Sequence, residues 1–428
     1  MFRPVFLSAL LIILSSNAQA QKDFVANYDE ARISEFQLPD PLTTDAGEPV
    51  TDAKAWTQVR RPEILRDFTT EVFGRGPQPC AIRHEVVNEN REAIHGKAIR
   101  REVDVFFGES DDAHSMRLLI YTPKAGQNVP AFLGLNFGGN HTVDPDPTIS
   151  LTTRWVRDRK NETTKKHTAT EAGRGTSASR WPVEMIIDRG YALVTIYYGD
   201  IDPDFDDGFE NGIHGVFRTE METIPPGQRW GSIAAWSYGL SRALDYLQQD
   251  ASIDASRVAV IGHSRLGKTS LWAGAADERF KMVVSNNSGC GGAALSRRAI
   301  GETVGRINTS FPHWFCDNFT KYNSNENACP VDQHQLLALI APRALYVASA
   351  SEDKWADPKG EFLSAVHAGP VYRLLGTNGL GDKITAETMP APDTPINEGK
   401  IGYHLRNGKH DLTEYDWRQY LDFADRQL

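Results

Sequence analysis

One short stretch, in which a strand-like run is followed by a serine turn and a helix-like run, constrains the chain most. Residues 257–261, RVAVI, predict a buried strand, and the small residues of 269–276 are typical of a helix packed on a sheet. The turn between them, residues 262–268, reads GHSRLGK and contains Gly-x-Ser-x-Gly. In this context the pattern forms a strained turn that exposes the serine hydroxyl at the sheet edge, whereas elsewhere it is a common glycine turn. The stretch therefore predicts that Ser264 is a nucleophile and that the Arg265 N–H points to an oxyanion.

Strand-like and helix-like segments alternate over the last two thirds of the chain. Apolar runs that predict buried strands lie at 130–140, 191–198, 257–261, 280–285, 344–349 and 402–405. Segments that read as helical lie at 181–189, 230–247, 332–340, 362–375 and 413–425. Two earlier runs of alternating polarity, 99–107 and 116–121, predict antiparallel edge strands. This order indicates an α/β protein with a mostly parallel sheet between two layers of helices, which together with the serine turn is the α/β-hydrolase fold.

The chain of 428 residues, 40% of them hydrophobic, is long enough for one large core. No repeat or linker divides it, so residues 21–428 are expected to form a single catalytic domain. Residues from about 21 to 90 predict an N-terminal wrap with short helical pieces, as in 53–66. The polar residues 141–180 predict a surface insertion near the mouth of the site, or a mobile segment. The acidic run 200–207 lacks the spacing of a calcium loop and is interpreted as a solvated loop.

The first twenty residues predict a signal peptide. Arg3 supplies a positive charge, residues 5–14 form a short apolar core, and residues 18–20, AQA, fit a small-x-small cleavage site. The apolar core is short for a bilayer, which disfavours the alternative of a retained membrane anchor. We therefore expect residues 1–20 to be removed and the protein to be secreted or periplasmic.

Charge and cysteine content exclude some function classes. A net charge of −10 disfavours a nucleic-acid partner, and no further stretch is long enough for a membrane span. The four cysteines, Cys80, Cys290, Cys316 and Cys329, lack the spacing of a metal finger, so no metal is expected. An exported protein can form disulfides. Cys316 and Cys329 flank a polar loop and could pair, but free buried thiols fit the sequence equally well.

A serine nucleophile needs a general base, and the base needs a carboxylate that fixes its tautomer. In this fold the order along the chain is serine, acid, histidine, and the histidine follows the last strand. His410, in the run 407–411, fills that position. His404 is the alternative, but it lies within the predicted strand 402–405, which favours a structural role.

The acid is expected at the end of the strand that precedes residues 352–358, EDKWADP. Asp353 is the first choice, Glu352 the second and Asp357 the third, and each could instead be a loop carboxylate that faces water. The earlier strand that ends in 285–288, SNNS, offers amides but no carboxylate. The glycine loop at the end of the strand 130–140 is expected either to supply a second oxyanion N–H or to be a simple strand end.

Several of these segments resemble one enzyme family. The segments are GHSRLGK at 262–268, NSGCGG at 287–292, DQH at 332–334, IAPR at 340–343, and Trp355 with Pro358. They resemble the glucuronoyl esterases, α/β-hydrolases that cleave the ester between 4-O-methyl-glucuronic acid on xylan and lignin alcohols. The likeness runs from about residue 130 to the C-terminus, and the Ser-Arg-x-Gly-Lys turn is its most specific part. The polar insertion and the signal peptide resemble the bacterial members.

The resemblance implies roles for individual residues. Ser264 is the nucleophile and His410 the base, and the Arg265 side chain holds the oxyanion because a guanidinium keeps its positive charge. Three further residues are implied to bind the sugar: Lys268 at its hydroxyls, Trp355 on the uronate ring, and Glu302 as a polar neighbour. No metal or organic cofactor is implied.

The chain departs from the family pattern at Asn287, where many members carry the glutamate of the triad. Some bacterial members use a carboxylate after the later strand, in agreement with Asp353. Asn287 could hydrogen-bond His410 but would not balance its charge. His263 is cysteine in other members and is interpreted as a packed supporting residue.

The predicted activity is hydrolysis of the glucuronoxylan–lignin ester through a covalent glucuronoyl-enzyme, by a monomer. An acetyl xylan esterase or another carbohydrate esterase is the alternative, and it would not need Lys268 or Trp355. A carbohydrate-binding pseudohydrolase is a further alternative, which the intact Ser264 and the histidine loop disfavour.

Overall fold

A computed structural model of the protein describes residues 24–110, 113–158 and 161–428. The predicted signal peptide lies outside these residues. Within the described ranges, we find no helix whose length and apolar character would let it cross a bilayer.

Nine strands of the described residues form one central sheet. In chain order they are β1 (Ile82–Glu92), β2 (Ala98–Phe107), β3 (Ser115–Pro123), β4 (Val129–Asn136), β5 (Ala192–Tyr197), β6 (Ile253–His263), β7 (Met282–Asn286), β8 (Ala344–Ala350) and β9 (Ile401–Arg406). Their order across the sheet is β1-β2-β3-β5-β4-β6-β7-β8-β9. The strands from β5 to β9 in that order run parallel, whereas β1, β2, β3 and β5 pair antiparallel. The predicted mostly parallel sheet with antiparallel edge strands is confirmed.

Helices cover both faces of this sheet. The longer ones are α1 (Arg61–Phe68), α2 (Val183–Asp188), α3 (Ser232–Leu247), α4 (Arg265–Ala276), α5 (Val304–Ser310), α6 (Gln333–Ala338), α7 (Pro358–Leu374) and α8 (Glu414–Gln427), with shorter ones at Ala53–Ala55, Tyr198–Ile201, Ile213–Val216 and Arg218–Glu222. Helices α2 and α8 pack on one face, and α1, α3, α4, α6 and α7 on the other. Alternate residues of a strand face opposite layers, so Val258 and Val260 meet one layer while Ala259 and Ile261 meet the other.

The N-terminal region wraps the domain only as far as β1. Its helical part packs into the core through Trp56, Ile64 and Phe68. Strand β1, Ile82–Glu92, lies inside the predicted wrap and extends the sheet instead, by pairing with β2. None of its residues is fully buried, so its sequence has no apolar face that would have predicted a strand.

The polar insertion 141–180 is anchored in the molecule. Val143, Ile149 and Val156 are buried, and two short strands, Thr164–Lys165 and Thr168–Ala169, form a hairpin. The buried side chains are scattered among exposed polar residues, which explains why the sequence of this segment has no clear hydrophobic periodicity.

The interpretation of the acidic run 200–207 as a solvated loop is wrong for residues 200–204, whereas Asp206 is exposed. Asp200, Asp202 and Asp204 are all buried. Two of these carboxylates accept hydrogen bonds from other segments: Asp200 from the Arg117 N–H at 3.1 Å, and Asp202 from the His214 ring at 2.7 Å. These partners compensate the burial of the charges.

All four cysteines are free, so Cys316 and Cys329 form no disulfide with each other. Cys290, Cys316 and Cys329 are buried, and burial raises the pKa of the Cys316 thiol to about 12. They behave as small apolar side chains.

Candidate active site

Ser264 lies on a tight turn between β6 and α4. Its backbone has φ 59° and ψ −128°, a strained conformation for a residue with a side chain, and it precedes the first residue of α4. A Cβ on Gly262 would lie 1.8 Å from the Leu266 carbonyl oxygen, and one on Gly267 would lie 3.0 Å from Ser288. Only glycine fits at position 262, which explains the first glycine of the Gly-x-Ser-x-Gly pattern.

His410 and Asp353 are brought together by the loops after β9 and β8. The His410 Nδ1–H donates to Asp353 Oδ2 at 2.6 Å. The Asp353 side chain is 5% exposed, whereas that of His410 is 41% exposed and accessible from solvent. Asp353 Oδ2 also accepts from Asn287 Nδ2 at 3.0 Å. A carboxylate on Nδ1 fixes the tautomer in which Nε2 can accept a proton.

The other candidate acids lie elsewhere. Glu352 is exposed, and its carboxylate has no hydrogen-bond partner among the described residues. Asp357 accepts from Arg298 Nε at 2.8 Å and from the Gly360 N–H at 3.0 Å, so it caps the start of α7. His404, the alternative base, is buried within β9 and bonds Asp416 at 2.8 Å.

His410 is placed beside the serine turn by its contact with His263. The two rings are 4.6 Å apart, and His263 directly precedes Ser264. His263 is buried and bonds Asn286 Oδ1 at 2.6 Å, as a supporting residue would. Burial, together with the positive charge of nearby groups, holds the pKa of His263 well below its usual value. Within the described residues the Ser264 hydroxyl has no hydrogen bond to His410, as is common before substrate binds.

The loop that carries His410 is held by Arg406. Its guanidinium donates to the carbonyl oxygens of Asn407 at 3.0 Å, Lys409 at 2.7 Å and Asp411 at 3.2 Å. Arg406 is itself fixed by Asp416 at 3.1 Å. Three bonds from one side chain define where the histidine loop lies.

Arg265 is fixed beside the serine by Asp204, a residue that the sequence analysis did not single out. Arg265 Nη1 is ion-paired with Asp204 Oδ2, and the Asp204 side chain is fully buried. Burial would raise the pKa of Asp204, but the hydrogen bond from His313 and the charge of Arg265 outweigh it and lower that pKa to about 2. The partner of Arg265 is therefore a carboxylate at any working pH.

The glycine loop after β4 lies next to the serine turn. The Phe137 ring is 6.2 Å from the His263 ring and 5.5 Å from the Arg265 guanidinium. The Gly139 N–H, however, donates to Asn136 Oδ1 at 2.8 Å and is engaged within the loop. The loop lines the site, but Gly139 does not offer a free donor.

The residues implied to bind the sugar lie together. Lys268 Nζ is 3.6 Å from Glu302 Oε2 and also donates to the Ser288 carbonyl oxygen. The Glu302 N–H donates to the Trp355 carbonyl oxygen at 3.0 Å. Trp355 is 38% exposed, which leaves its ring available to a ligand. From the sequence, a common site for these residues was predicted only by the family resemblance.

Glu361 is a second buried acid that sequence reasoning missed. It accepts from the backbone N–H groups of Ser288 at 2.7 Å and Gly289 at 2.9 Å, and from Ser349 Oγ at 2.6 Å. Burial raises its pKa to about 8. No local pattern marks Glu361, because its partners come from the ends of two other strands. No group of three or more His, Cys, Asp or Glu side chains in the described part of the chain could hold a metal ion.

Comparisons with known proteins agree with this architecture. A family model described as "Glucuronyl esterase, fungi" matches residues 222–376. Carbohydrate esterase MZ0003, from an unknown prokaryotic organism, is 52% identical over 403 residues, which cover 94% of this chain and 92% of that protein. The structure of a promiscuous CE15 esterase from a marine bacterial metagenome aligns with a TM-score of 0.88 and 51% identity, covering 94% of this chain and 100% of that one.

A glucuronoyl esterase from Solibacter usitatus aligns with a TM-score of 0.86 and 49% identity, over 93% of this chain and 99% of that one. The likeness extends over nearly the whole of each protein, and the family-model match spans the segments on which the resemblance was based. The predicted fold class and esterase activity are thereby confirmed. The chain belongs to carbohydrate esterase family 15, the family of the glucuronoyl esterases, and is a carboxylic ester hydrolase with the α/β-hydrolase fold.

Proposed function

We propose that the protein hydrolyses the ester between (4-O-methyl-)glucuronic acid of xylan and lignin alcohols, with Ser264, His410 and Asp353 as its triad. The observation that carries the proposal is the 2.6 Å contact of His410 with a buried Asp353, beside the strained Ser264 turn. The relatives named glucuronoyl esterases support the substrate class.

The first step is attack of Ser264 Oγ on the ester carbonyl carbon. His410 Nε2 takes the hydroxyl proton as the new C–O bond forms, and Asp353 stabilises the imidazolium. The bond to the alcohol then breaks, and His410 returns the proton to the leaving oxygen. Water repeats the attack on the glucuronoyl-enzyme, which releases glucuronate and restores Ser264.

Arg265 supplies charge to the tetrahedral intermediate. Its Nη1 is ion-paired with Asp204, while its Nε is buried and has no partner among the described residues. The Arg265 backbone N–H, at the first position of α4, has no acceptor within the helix. The backbone N–H and the guanidinium, whose side chain is 23% exposed, can serve an oxyanion, and removal of one such donor costs about 2.7–4 kcal/mol of transition-state stabilisation.

The sugar contacts favour a uronate over a small acyl group. Lys268 and Glu302 offer a donor and an acceptor to hydroxyl groups, and the exposed Trp355 ring offers an apolar face to a pyranose. An acetyl group would use none of them. The acetyl xylan esterase alternative therefore leaves these three residues unexplained.

One assay tests the proposal. Turnover of benzyl glucuronate and of 4-nitrophenyl acetate is measured for the parent and for Ser264→Ala. We expect the parent to prefer the glucuronate ester by kcat/KM and Ser264→Ala to lose both activities. A preference for acetate would favour the acetyl xylan esterase, and no turnover of either ester would favour a carbohydrate-binding protein.

We further propose that residues 1–20 are a signal peptide and that the protein works as a secreted or periplasmic monomer on glucuronoxylan–lignin esters. The charged start, the apolar core and the AQA site support this. N-terminal sequencing of the exported protein should begin near Gln21, and an intact Met1 would contradict the prediction.

A further inference from the structure

The Asp204 carboxylate is the centre of a buried cluster next to the serine turn. Its Oδ1 accepts from His313 Nε2 at 3.0 Å and from Trp314 Nε1 at 2.8 Å. Its Oδ2 accepts from Tyr198 at 3.0 Å, from Arg157 Nη2 at 3.4 Å and from Arg265 Nη1. Both carboxylate oxygens are thus fully engaged, and the position of Asp204 is fixed by four segments of the chain.

The same cluster encloses the Arg265 guanidinium with aromatic rings. Its central carbon lies 4.9 Å from the Trp314 ring, 5.5 Å from Phe137 and 5.8 Å from Phe311. Phe311 and Trp314 stack on each other at 3.8 Å with an interplanar angle of 3°. A guanidinium between flat rings and a carboxylate has little freedom to turn toward solvent.

Only part of the hydrogen-bonding capacity of the Arg265 guanidinium is satisfied in this arrangement. Nη1 is taken by Asp204, whereas Nε is buried without a partner in the part of the chain that the structure describes. A buried N–H without an acceptor is costly and calls for an explanation. The side chain as a whole is 23% exposed, so a negative oxygen that forms during the reaction can approach the guanidinium from its open side.

We propose that Asp204 is the positioning residue of the oxyanion site, which fixes the Arg265 guanidinium and balances its charge so that the anionic product can leave. The proposal rests on the proposed function. Glucuronate is released as a carboxylate, and a partly exposed guanidinium without a counter-ion would bind it in the bidentate geometry that arginine favours. Because Asp204 already holds one end of the guanidinium, Arg265 is available to a transient oxyanion but is a poor partner for a stable anion.

A double-mutant cycle tests the positioning role. In the parent, Asp204→Asn is expected to lower kcat by about 10- to 100-fold with little change in KM, since only the oxyanion contact is weakened. In the Arg265→Ala background the same change should alter kcat by less than about twofold, because the residue it acts through is gone. An equal loss of kcat in both backgrounds would overturn the proposal.

Trp314→Phe provides a second variant that keeps the ring against Arg265 and removes only the N–H bond to Asp204. It should lower kcat by about two- to fivefold in the parent and leave kcat unchanged in Arg265→Ala. This variant answers the same question if Asp204→Asn does not fold. Asp202→Asn is the matched control, since Asp202 is a buried aspartate of the same segment that bonds His214 instead. Its folded fraction should keep the parent kcat.

Inhibition by glucuronate tests the charge-balancing role. Asp204→Asn leaves the guanidinium uncompensated, so inhibition by glucuronate should tighten by about tenfold and weaken again with added salt. If the inhibition constant of glucuronate were the same for Asp204→Asn and the parent, the charge-balancing role of Asp204 would be overturned. The cycle is run on both benzyl glucuronate and 4-nitrophenyl acetate, because any ester passes through an oxyanion. If Asp204 and Arg265 were coupled on both esters, but the parent did not prefer the glucuronate ester, the positioning role of Asp204 would be supported and the proposed substrate rejected.

Discussion

Two residues at neighbouring strand ends share the task of orienting His410. Asp353, after β8, accepts from the histidine, and Asn287, after β7, donates to the same carboxylate oxygen of Asp353. The sequence analysis allowed Asn287 a bond to His410. The structure gives it a bond to Asp353 instead, so the amide holds the acid and does not replace it.

At this scale we predict that the acid function belongs to Asp353 alone. Asp353→Asn keeps the shape of the side chain but removes the charge that stabilises the imidazolium, so kcat for benzyl glucuronate should fall by about 10²–10⁴-fold with KM little changed. Steady-state kinetics over a range of substrate concentrations would measure both constants. Glu352→Gln, one residue away and exposed, is the matched control and should keep the parent rate. A comparable loss in Glu352→Gln would reject the assignment.

The positions of Ser264, His410 and Asp353 after strands of the sheet could be predicted, because each of those strands is recognisable in the sequence. Asp204 could not, because the chemistry that surrounds it is distant in the sequence. Its donors His313 and Trp314 are 109 and 110 residues away. A run of aspartates with a proline reads as a surface loop when those partners are unknown, and burial of such a group depends entirely on them.

At the scale of the elements, the first turn of α7 reaches into the centre of the molecule. Glu361 bonds the backbone of Ser288 and Gly289, which follow β7, and the hydroxyl of Ser349 in β8. The helix thereby holds the loop that carries Asn287. Burial is the main reason that the pKa of Glu361 rises to about 8, with the nearby charge of Asp353 adding to it.

Glu361 predicts a pH dependence of stability. The unfolded chain ionises this carboxyl near its ordinary pKa of 4.5, whereas the folded protein keeps the proton up to about pH 8. The folded state binds more protons between these values, so the free energy of unfolding should decrease as pH rises through that window. Glu361→Gln imitates the protonated form and should lose less, with a difference on the order of 2–4 kcal/mol between pH 5 and 9.

Urea unfolding of the parent and of Glu361→Gln at several pH values would measure this difference. The exposed Glu352→Gln is the control, and its profile should follow that of the parent. If the parent and Glu361→Gln lost stability in parallel up to pH 9, Glu361 would not be protonated in the folded protein.

Elements with one apolar face or a fully apolar run were predictable, and those without were not. Strand β8 is buried along its whole length, Ala344–Ala350, and its mostly apolar sequence predicts a buried strand. Strand β1 has no buried residue and gave no signal, although it is eleven residues long. Its place in the sheet comes from backbone pairing with β2, which side-chain periodicity does not report.

At the scale of the whole molecule, the N-terminal segment is joined to the side of the site where Glu302 and Trp355 lie. The Asn27 carbonyl oxygen accepts from the Gly301 N–H at 2.8 Å, one residue before Glu302. Glu30 pairs with Lys359 at 2.8 Å and with Arg298. The N-terminal segment therefore contacts more than the core, because it is bonded to residues next to Glu302 and Trp355.

The N-terminal segment also contacts Trp355 through the ring of Phe24, and this contact can be tested by mutation. The Phe24 ring meets that of Trp355 edge-on, with centroids 6.1 Å apart and an interplanar angle of 83°. Such a pair is worth about 0.5–1.5 kcal/mol, so Phe24→Ala should raise KM for benzyl glucuronate by about 2- to 12-fold through a less fixed Trp355. The rate constant kcat should stay the same, because the triad and Arg265 are untouched.

Turnover of 4-nitrophenyl acetate should not respond to Phe24→Ala, since an acetyl group does not need the Trp355 ring. Val25→Ala, next to Phe24 but 87% exposed, is the matched control and should leave KM unchanged. In a Trp355→Ala background the Phe24 change should add nothing, because the ring it supports is absent. A rise in KM for both esters, or the same rise without Trp355, would mean that the N-terminal segment acts on the fold in general and not on the recognition of the sugar.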